Sequence, residues 1–128
     1  MPQPRLLLID DEPVLADYLA SAARTCGFEP VITERDADFR QYFLANRPEM
    51  IAVDLGMPVD GVELIRFLAD HEYRGPVLIV SGFDRRVLES AFRLGEALGL
   101  NMAGPVEKPV RLEVLEELLS KVKATLVI

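Results

Sequence analysis

The sequence predicts an α/β protein with a doubly wound, five-stranded parallel sheet and helices on both faces. Short apolar segments alternate with segments of helical periodicity along all 128 residues, which predicts βα units joined by right-handed crossovers. Several strand-like segments are apolar throughout, as is typical of parallel strands covered on both faces. The length suits one domain, so we expect residues 1–128 to fold as a single unit.

The strands are expected where short runs of branched and apolar residues occur. The first, third and fourth runs are short, apolar and rich in branched residues, as is typical of buried parallel strands. The second is weaker and suits an edge strand. The five predicted strands are Arg5–Ile9, Pro30–Ile32, Met50–Val53, Val77–Val80 and Asn101–Val106.

Helical periodicity fills the segments between and after the strands. Pro13 follows two acidic residues and opens the first helix, which Gly27 is expected to end. The apolar stripe of this helix is expected to contain Val14, Leu15, Tyr18, Leu19 and Ala22. The later helices repeat apolar residues at intervals of three and four. They are expected at about Arg35–Ala45, Gly61–His71, from Asp84 through Leu98, and Leu112–Lys123.

Composition excludes several classes of function. A net charge of -7, from 21 acidic and 14 basic residues, argues against a nucleic-acid-binding surface, which needs a basic face. The single cysteine, Cys26, excludes an internal disulfide and a cysteine-based zinc site, and is expected to be a packing residue. Neither a signal peptide nor a membrane-spanning run is evident, so a cytoplasmic protein without membrane contact is expected.

Polar residues follow four of the predicted strands. Asp10 and Asp11 follow the first, Asp54 the third, Ser81 the fourth and Lys108 the fifth. The carboxyl ends of parallel strands share one edge of the sheet, so these side chains are expected to meet. Carboxylates are costly to gather in an apolar setting unless a cation holds them. The pattern therefore predicts an acidic, cation-binding pocket.

This combination of residue types suits phosphoryl transfer to an aspartate. Carboxylates and a backbone carbonyl are ligands for Mg²⁺, which neutralises phosphoryl oxygens. A carboxylate beside the metal can attack phosphorus and form an acyl phosphate. An ammonium and a hydroxyl can hold the remaining oxygens.

The chain resembles a receiver domain of the two-component response-regulator family. The resemblance depends on an ordered set of motifs that spans residues 5 to 109. It implies a flavodoxin-like sheet with strand order 2-1-3-4-5. The motifs are Leu-Leu-Ile-Asp-Asp-Glu-Pro, Val-Asp-Leu-Gly-Met-Pro, Asp-Gly-Val-Glu-Leu, Val-Ser-Gly and Glu-Lys-Pro.

The resemblance also implies a role for each acidic residue. Asp54 would be the phosphoacceptor. Asp11, Asp54 and the backbone carbonyl of Gly56 would ligate Mg²⁺, while Asp10 would act through a water molecule or orient the site.

For the remaining site residues, the resemblance implies contacts with the phosphoryl group. Ser81 would be the hydroxyl switch residue, and Lys108 would pair with the phosphoryl oxygens. A sensor histidine kinase or a phosphotransfer protein would be the donor, and the domain would catalyse its own phosphorylation and dephosphorylation without turning over an external substrate. The output would be a change in the surface of the fourth helix, fifth strand and fifth helix, which is also a candidate surface for homodimerisation. Phe92, Leu94 and Leu98 lie in that region, with Leu98 expected to pack on the sheet.

Three further features of the sequence carry expectations about the coupling, the access to the site and the output. Pro105 occupies the place where family members usually carry a rotating Tyr or Phe, so the coupling to the output surface is expected to differ. Gly82 should leave the site accessible and Phe83 partly shield it. The segment before the last strand is similar to receivers joined to EAL-type cyclic-di-GMP phosphodiesterase domains, which implies such an output domain in a longer protein.

Other interpretations of the same residues remain open. A degenerate receiver would serve only as a protein–protein interaction module. A haloacid-dehalogenase-type phosphatase would need an aspartate where Glu12 stands. A flavodoxin-like cofactor carrier would need a phosphate loop where Asp10, Asp11 and Glu12 lie. Taken singly, Asp10 and Asp11 also suit caps of the first helix.

Overall fold

A computed structural model describes residues 3–55, 61–82 and 85–126. Five strands alternate with five helices, as the sequence predicts. The elements are β1 (Arg5–Ile9), α1 (Pro13–Thr25), β2 (Glu29–Thr33), α2 (Asp36–Asn46), β3 (Met50–Asp54), α3 (Gly61–Asp70), β4 (Pro76–Ser81), α4 (Arg85–Ala97), β5 (Asn101–Glu107) and α5 (Leu112–Thr125).

All neighbouring strands are parallel, in the order β2-β1-β3-β4-β5. One apolar cluster packs α2, α3 and α4 against one face of the sheet. A second cluster packs α1 and α5 against the opposite face. The doubly wound architecture and the predicted strand order are therefore confirmed.

The central strands are apolar throughout because both of their faces are covered. Every residue of β3 and β4 is buried. Ile51 and Val53 point into the cluster of α2, α3 and α4, whereas Met50 and Ala52 point toward α1 and α5. This alternation is the two-residue period of an extended strand. The position of Asp54, the last residue of β3, is thus determined by two cores at once.

Two residues that were expected to face the sheet are exposed instead. Val14 is 81% exposed, because the buried face of α1 repeats from Ala16 and Val14 lies two residues before it, on the opposite side of the helix. Leu98 was expected to pack on the sheet, and this was wrong. It is 43% exposed because α4 ends at Ala97 and the chain turns at Gly99, whose φ is +89°.

The last strand contains an irregularity. Leu78 of β4 pairs with Ala103, but Val80 pairs with Val106, so β5 holds one extra residue at this point. Gly104 lies there with a φ of +91°, and the peptide bonds before Pro105 and Pro109 are cis. One residue opposed by two is the geometry of a β-bulge.

An aromatic cluster lies near the amino ends of β3 and β4. The ring of Phe43 makes edge contacts with Phe67 and Tyr73, each with 5.4 Å between ring centroids. The ring of His71 contacts that of Phe67 in a tilted arrangement, with 4.4 Å between centroids, and His71 lies just past the end of α3, as expected. The buried hydroxyl of Tyr73 donates a 2.7 Å hydrogen bond to the carbonyl of Pro48. Burial raises the pKa of Tyr73, so this hydroxyl stays protonated.

Two further observations concern single features of the sequence. Cys26 is half-buried and its Sγ lies 3.4 Å from the carbonyl oxygen of Glu116 on α5, in keeping with the expected packing role. Among the described helices, none combines the length and apolar character that a membrane crossing requires.

Candidate functional site

The predicted site residues converge at the carboxyl edge of the sheet. Asp10 directly follows β1, Asp54 and Ser81 end β3 and β4, and Lys108 directly follows β5. Asp10, Asp54 and Ser81 are buried polar residues, with exposed fractions of 1%, 3% and 3%. Ordinary surface polar residues are not buried to this extent. The carboxyl edge of the sheet therefore carries a buried polar site.

Three carboxylates form the acidic part of the site. Asp10, Asp11 and Asp54 each offer an oxygen, and these oxygens all lie within 4.8 Å of one another. Asp11 is exposed and the other two are buried, so the cluster opens to solvent on the side of Asp11. Such a set of oxygens is able to hold a hard divalent cation. Gly56, the fourth predicted ligand, lies outside the described residues.

Asp10 carries the clearest sign of a missing partner. Its Oδ1 accepts a 2.9 Å hydrogen bond from the N–H of Glu12. Its Oδ2 is buried and finds no hydrogen-bond partner within the described part of the chain. Burial raises the pKa of Asp10 to about 6; the bond from Glu12 opposes this shift and the neighbouring carboxylate of Asp54 adds to it. A buried oxygen left unsatisfied among other acids fits a cation ligand.

The alternative role of these acids as helix caps is not supported. The N-cap residue of α1 is Glu12, and it makes no capping hydrogen bond with its side chain. The bond from Glu12 to Asp10 closes the turn before the helix instead. Asp10 is consequently held by the loop that leads out of β1.

Lys108 supplies the positive charge of the site. Its Nζ lies 3.2 Å from Oδ1 of Asp54, and the side chain is 15% exposed. The N–H of Lys108 donates a 2.8 Å hydrogen bond to the carbonyl of Ser81. A Cβ atom at Gly82 would lie 3.3 Å from Cβ of Lys108, so the small residue leaves room for the lysine stem. Phe83, the predicted shield, lies outside the described residues.

An apolar groove that the sequence did not predict adjoins Lys108. It encloses about 230 Å³ between α1 and the segment after β5. The hydroxyl of Tyr18 donates a 2.9 Å hydrogen bond to the carbonyl of Val110 and joins the two walls. The trace of this groove in the sequence is Val14, an apolar residue that directly follows Pro13 at the start of the first helix. The groove is lined by Val14, Leu15, Tyr18, Leu19, Val80, Lys108, Pro109 and Val110.

Comparison with known proteins gives consistent matches over nearly the whole chain. The family model of the response regulator receiver domain matches residues 6–120. The chain is similar to the transcriptional regulatory protein PrrA of Mycobacterium tuberculosis, with 33% identity over 127 residues that cover 96% of this chain and 50% of PrrA. It is also similar to the regulatory protein AtoC of Escherichia coli, with 29% identity over 87% of this chain and 23% of AtoC. The chain spans about half the length of PrrA.

A solved structure has the same fold. The crystal structure of a response regulator from Colwellia psychrerythraea superposes with a TM-score of 0.78 at 29% identity. The superposition covers 96% of this chain and 98% of the other.

Proposed function

Because this chain belongs to the family of response regulator receiver domains, we propose that it is a phosphorylation-activated switch with Asp54 as its phosphoacceptor. One observation carries the proposal. Asp54 is buried between the other two acids and Lys108, which lies 3.2 Å from it. The acids and the lysine that phosphoryl transfer requires are all present, which argues against a degenerate receiver.

The chemical step is an attack by a carboxylate oxygen of Asp54 on phosphorus. In transfer from a phosphohistidine, the new O–P bond forms as the P–N bond breaks, and the imidazole leaves with the bonding electron pair. The product is an acyl phosphate on Asp54. Later attack by water on phosphorus returns the carboxylate and releases inorganic phosphate. The donor is a histidine kinase or a phosphotransfer protein.

The acidic cluster is the proposed Mg²⁺ site. Asp10, Asp11 and Asp54 would hold the ion, and the orphaned Oδ2 of Asp10 supports this choice. When bound, Mg²⁺ neutralises charge on the phosphoryl oxygens and favours the ionised form of the acids around it.

Lys108 and Ser81 are the proposed contacts of the phosphoryl group. The ammonium of Lys108 already lies beside Asp54, so it needs little movement to pair with a phosphoryl oxygen. The hydroxyl of Ser81 would donate to another oxygen from the end of β4. These two groups replace the hydration that a phosphoryl group loses on entering the site.

The groove beside Lys108 is the proposed contact surface for the phosphodonor. Any protein that presents a phosphohistidine to Asp54 must cover the surface around the site. Val14 is the most exposed large apolar residue in the described chain, and it lines this groove next to Lys108. A donor helix with an apolar face would bury Val14 as its histidine approaches Asp54.

The output is proposed to leave through α4, β5 and α5. Val87 on α4 and Leu112 and Val114 on α5 are exposed apolar residues on these elements, which suits contact with an output domain or a second copy. Pro105 cannot act as a rotating aromatic. The output domain is therefore proposed to sense backbone changes at this face, and an EAL-type domain is one candidate for it.

The proposal is tested with beryllofluoride, which mimics a phosphoryl group, and with acetyl phosphate, which donates one. In the presence of Mg²⁺, both should change the amide NMR spectrum of the wild-type protein, and acetyl phosphate should add one phosphoryl group by intact mass. Asp54→Asn should abolish both responses. Asp17→Asn, which removes an exposed acid on α1, is the matched control and should keep them. A response that persists in Asp54→Asn would overturn the assignment.

A further inference from the structure

The side chains of β5 do not follow a regular strand alternation. Ala103 and Val106 both pack into the cluster of α1 and α5, although they are three residues apart. In an unbroken strand, residues separated by an odd number point to opposite faces. Met102 packs into the cluster on the other face, as its neighbour Ala103 requires. The facing pattern therefore reverses between Ala103 and Val106.

The reversal coincides with the extra residue in β5. Between Leu78 and Val80, the strand β4 advances by two residues, whereas β5 advances by three from Ala103 to Val106. Gly104 lies inside this interval. Both the facing pattern and the pairing register therefore indicate the same bulge.

Each half of β5 is anchored separately. At the start, Met102 lies against Gly95 of α4, where a Cβ atom would collide with the methionine sulfur. At the end, Val106 is buried and the N–H of Lys108 is bonded to Ser81. The two anchors lie one residue too far apart along the sequence for regular pairing with β4, and the bulge accommodates the difference.

Without the bulge, the end of β5 would present the wrong residue to the site. If the first half kept its pairing, Val106 would shift to a place opposite Ser81. The amide of Glu107 would then take the bond to the carbonyl of Ser81 that Lys108 now makes. A carboxylate would stand where the ammonium stands, beside the acidic cluster. A slip of one residue also turns every side chain to the opposite face.

We propose that Gly104 is a positioning residue for Lys108, because the bulge it permits brings the ammonium rather than the carboxylate of Glu107 to Asp54. The inference rests on the proposed function of Asp54 and Lys108. It also explains the Gly-Pro pair in β5, which the roles of Asp54 and Lys108 alone do not explain.

Glycine is required at this point for two physical reasons. A φ of +91° is a conformation that residues with a side chain rarely adopt. In addition, a Cβ atom on Gly104 would lie 2.9 Å from Cδ1 of Leu78 and 3.2 Å from the backbone N of Val106. The second contact is with backbone, so it cannot be relieved by a side-chain rotation.

The test compares two glycines that have nearly the same φ. Gly104→Val should disfavour the bulge and shift the end of β5. Gly99→Val is the matched control, since Gly99 has a φ of +89° but a Cβ atom there would meet nothing within 4 Å. Amide hydrogen exchange should show that protection moves from Lys108 to Glu107 in Gly104→Val alone. Phosphorylation by acetyl phosphate should slow by on the order of 10²-fold, the usual cost of a misplaced group. Stabilisation by Mg²⁺ should persist in both variants.

A rescue distinguishes positioning from a general folding defect. Deletion of Pro105 removes the extra residue, so regular pairing then brings Val106 and Lys108 to their native partners without a glycine. The Gly104→Val protein with this deletion should regain both the protection of Lys108 and the wild-type rate, even if Gly104→Val alone does not fold. A rescue variant that fails to fold, or folds without regaining the rate, would overturn the inference, as would a wild-type rate in Gly104→Val. If the wild-type protein itself were not phosphorylated, the proposed function would fail, and the exchange data would still decide the position of Lys108.

Discussion

The ammonium of Lys108 and the carboxylate of Asp54 form an ion pair that is almost fully withdrawn from solvent. The Nζ to Oδ1 distance is 3.2 Å, and the side chain of Asp54 is 2% exposed. A pair at this depth is screened less than a surface pair. Asp54 is the last residue of β3, and Lys108 directly follows β5, where its N–H is bonded to the carbonyl of Ser81.

Replacement of Lys108 by alanine should slow phosphorylation of Asp54 without unfolding the protein. Loss of one preorganised charge beside a developing phosphoryl transition state costs about 10²-fold or more in rate. The rate is measured with acetyl phosphate and intact mass spectrometry. Lys121→Ala on α5, whose exposed side chain pairs with Glu117, is the control and should keep the wild-type rate. Equal rates for the two variants would refute the role of Lys108.

Asp10 should make the metal-free protein less stable as the pH rises. Its pKa is raised from 3.8 to about 6 in the folded state, chiefly by burial. Between these values the unfolded chain has released the proton and the folded chain has not, so the free energy of unfolding falls with rising pH. Above about pH 6 the penalty is complete, and it amounts to at most about 3 kcal/mol.

Asp10→Asn should remove this part of the pH dependence and stabilise the metal-free protein at pH 7. The amide keeps an oxygen for the N–H of Glu12 and carries no charge. Urea denaturation in a chelating buffer at pH 4 and pH 7 measures the effect. Asp17→Asn on the exposed face of α1 changes the net charge equally and should leave the difference between the two pH values as in the wild type. Parallel curves for wild type and Asp10→Asn would contradict the prediction.

Mg²⁺ should raise the melting temperature, because a ligand that binds only the folded state stabilises it by mass action. At a concentration one hundred times the dissociation constant, the gain is about 2.7 kcal/mol. Asp11→Asn, which removes the exposed acid of the cluster, should weaken the effect. Differential scanning calorimetry with Mg²⁺, with a chelator and with sodium chloride of equal ionic strength makes the comparison. An equal shift with sodium chloride would exclude a specific site.

Val14→Glu should impair transfer from a protein donor and spare transfer from a small one. Acetyl phosphate needs only the site, whereas a phosphohistidine protein must also cover the groove beside Lys108. A panel of phosphorylated histidine kinases and phosphotransfer proteins identifies a donor for the wild type, and the rate of transfer from it is then measured. Leu44→Glu is the control, because Leu44 is an exposed leucine on α2. A donor that phosphorylates all three proteins equally would place its contacts elsewhere.

Tyr73→Phe should destabilise the fold by about 1–3 kcal/mol, the cost of leaving a buried group unpaired. The hydroxyl is buried and donates to the carbonyl of Pro48, which the variant leaves without this donor. Tyr42→Phe, at a half-buried residue of α2, is the matched control for loss of a hydroxyl. Thermal unfolding measures both, and equal stability of the two variants would show that the bond from Tyr73 contributes little.

The elements and the meeting point of the site were predictable because burial leaves a direct trace in the sequence. Strands covered on both faces must be apolar, so an aspartate at the end of such a strand stands out, as Asp54 does. Asp10 and Lys108 were expected at the same edge because the carboxyl ends of parallel strands meet there. Their distances, and the unsatisfied oxygen of Asp10, depend on how the loops pack, and no local pattern specifies that.

The misses have local physical causes. Leu98 continues the spacing of Leu88 and Ala91, so the stripe suggested burial, but the helix ended one residue earlier. The exposure of Val14 followed from the rotation of α1 relative to the sheet, which proline in the first turn does not determine. The bulge at Gly104 breaks the two-residue period on which strand prediction relies, and it is seen only from the pairing with β4 and the packing of β5 against the two cores.

The carboxyl ends of β3, β4 and β5 are joined by main-chain hydrogen bonds beyond their last paired residues. The amide of Leu55 bonds to the carbonyl of Val80, and the amide of Lys108 bonds to that of Ser81. These hydrogen bonds join the carboxyl ends of β3, β4 and β5, so separating one of these ends from its neighbour would break a main-chain bond. A conformational change that starts at Asp54 can therefore take two forms: rotation of the side chains around the site, or a joint displacement of the three strand ends.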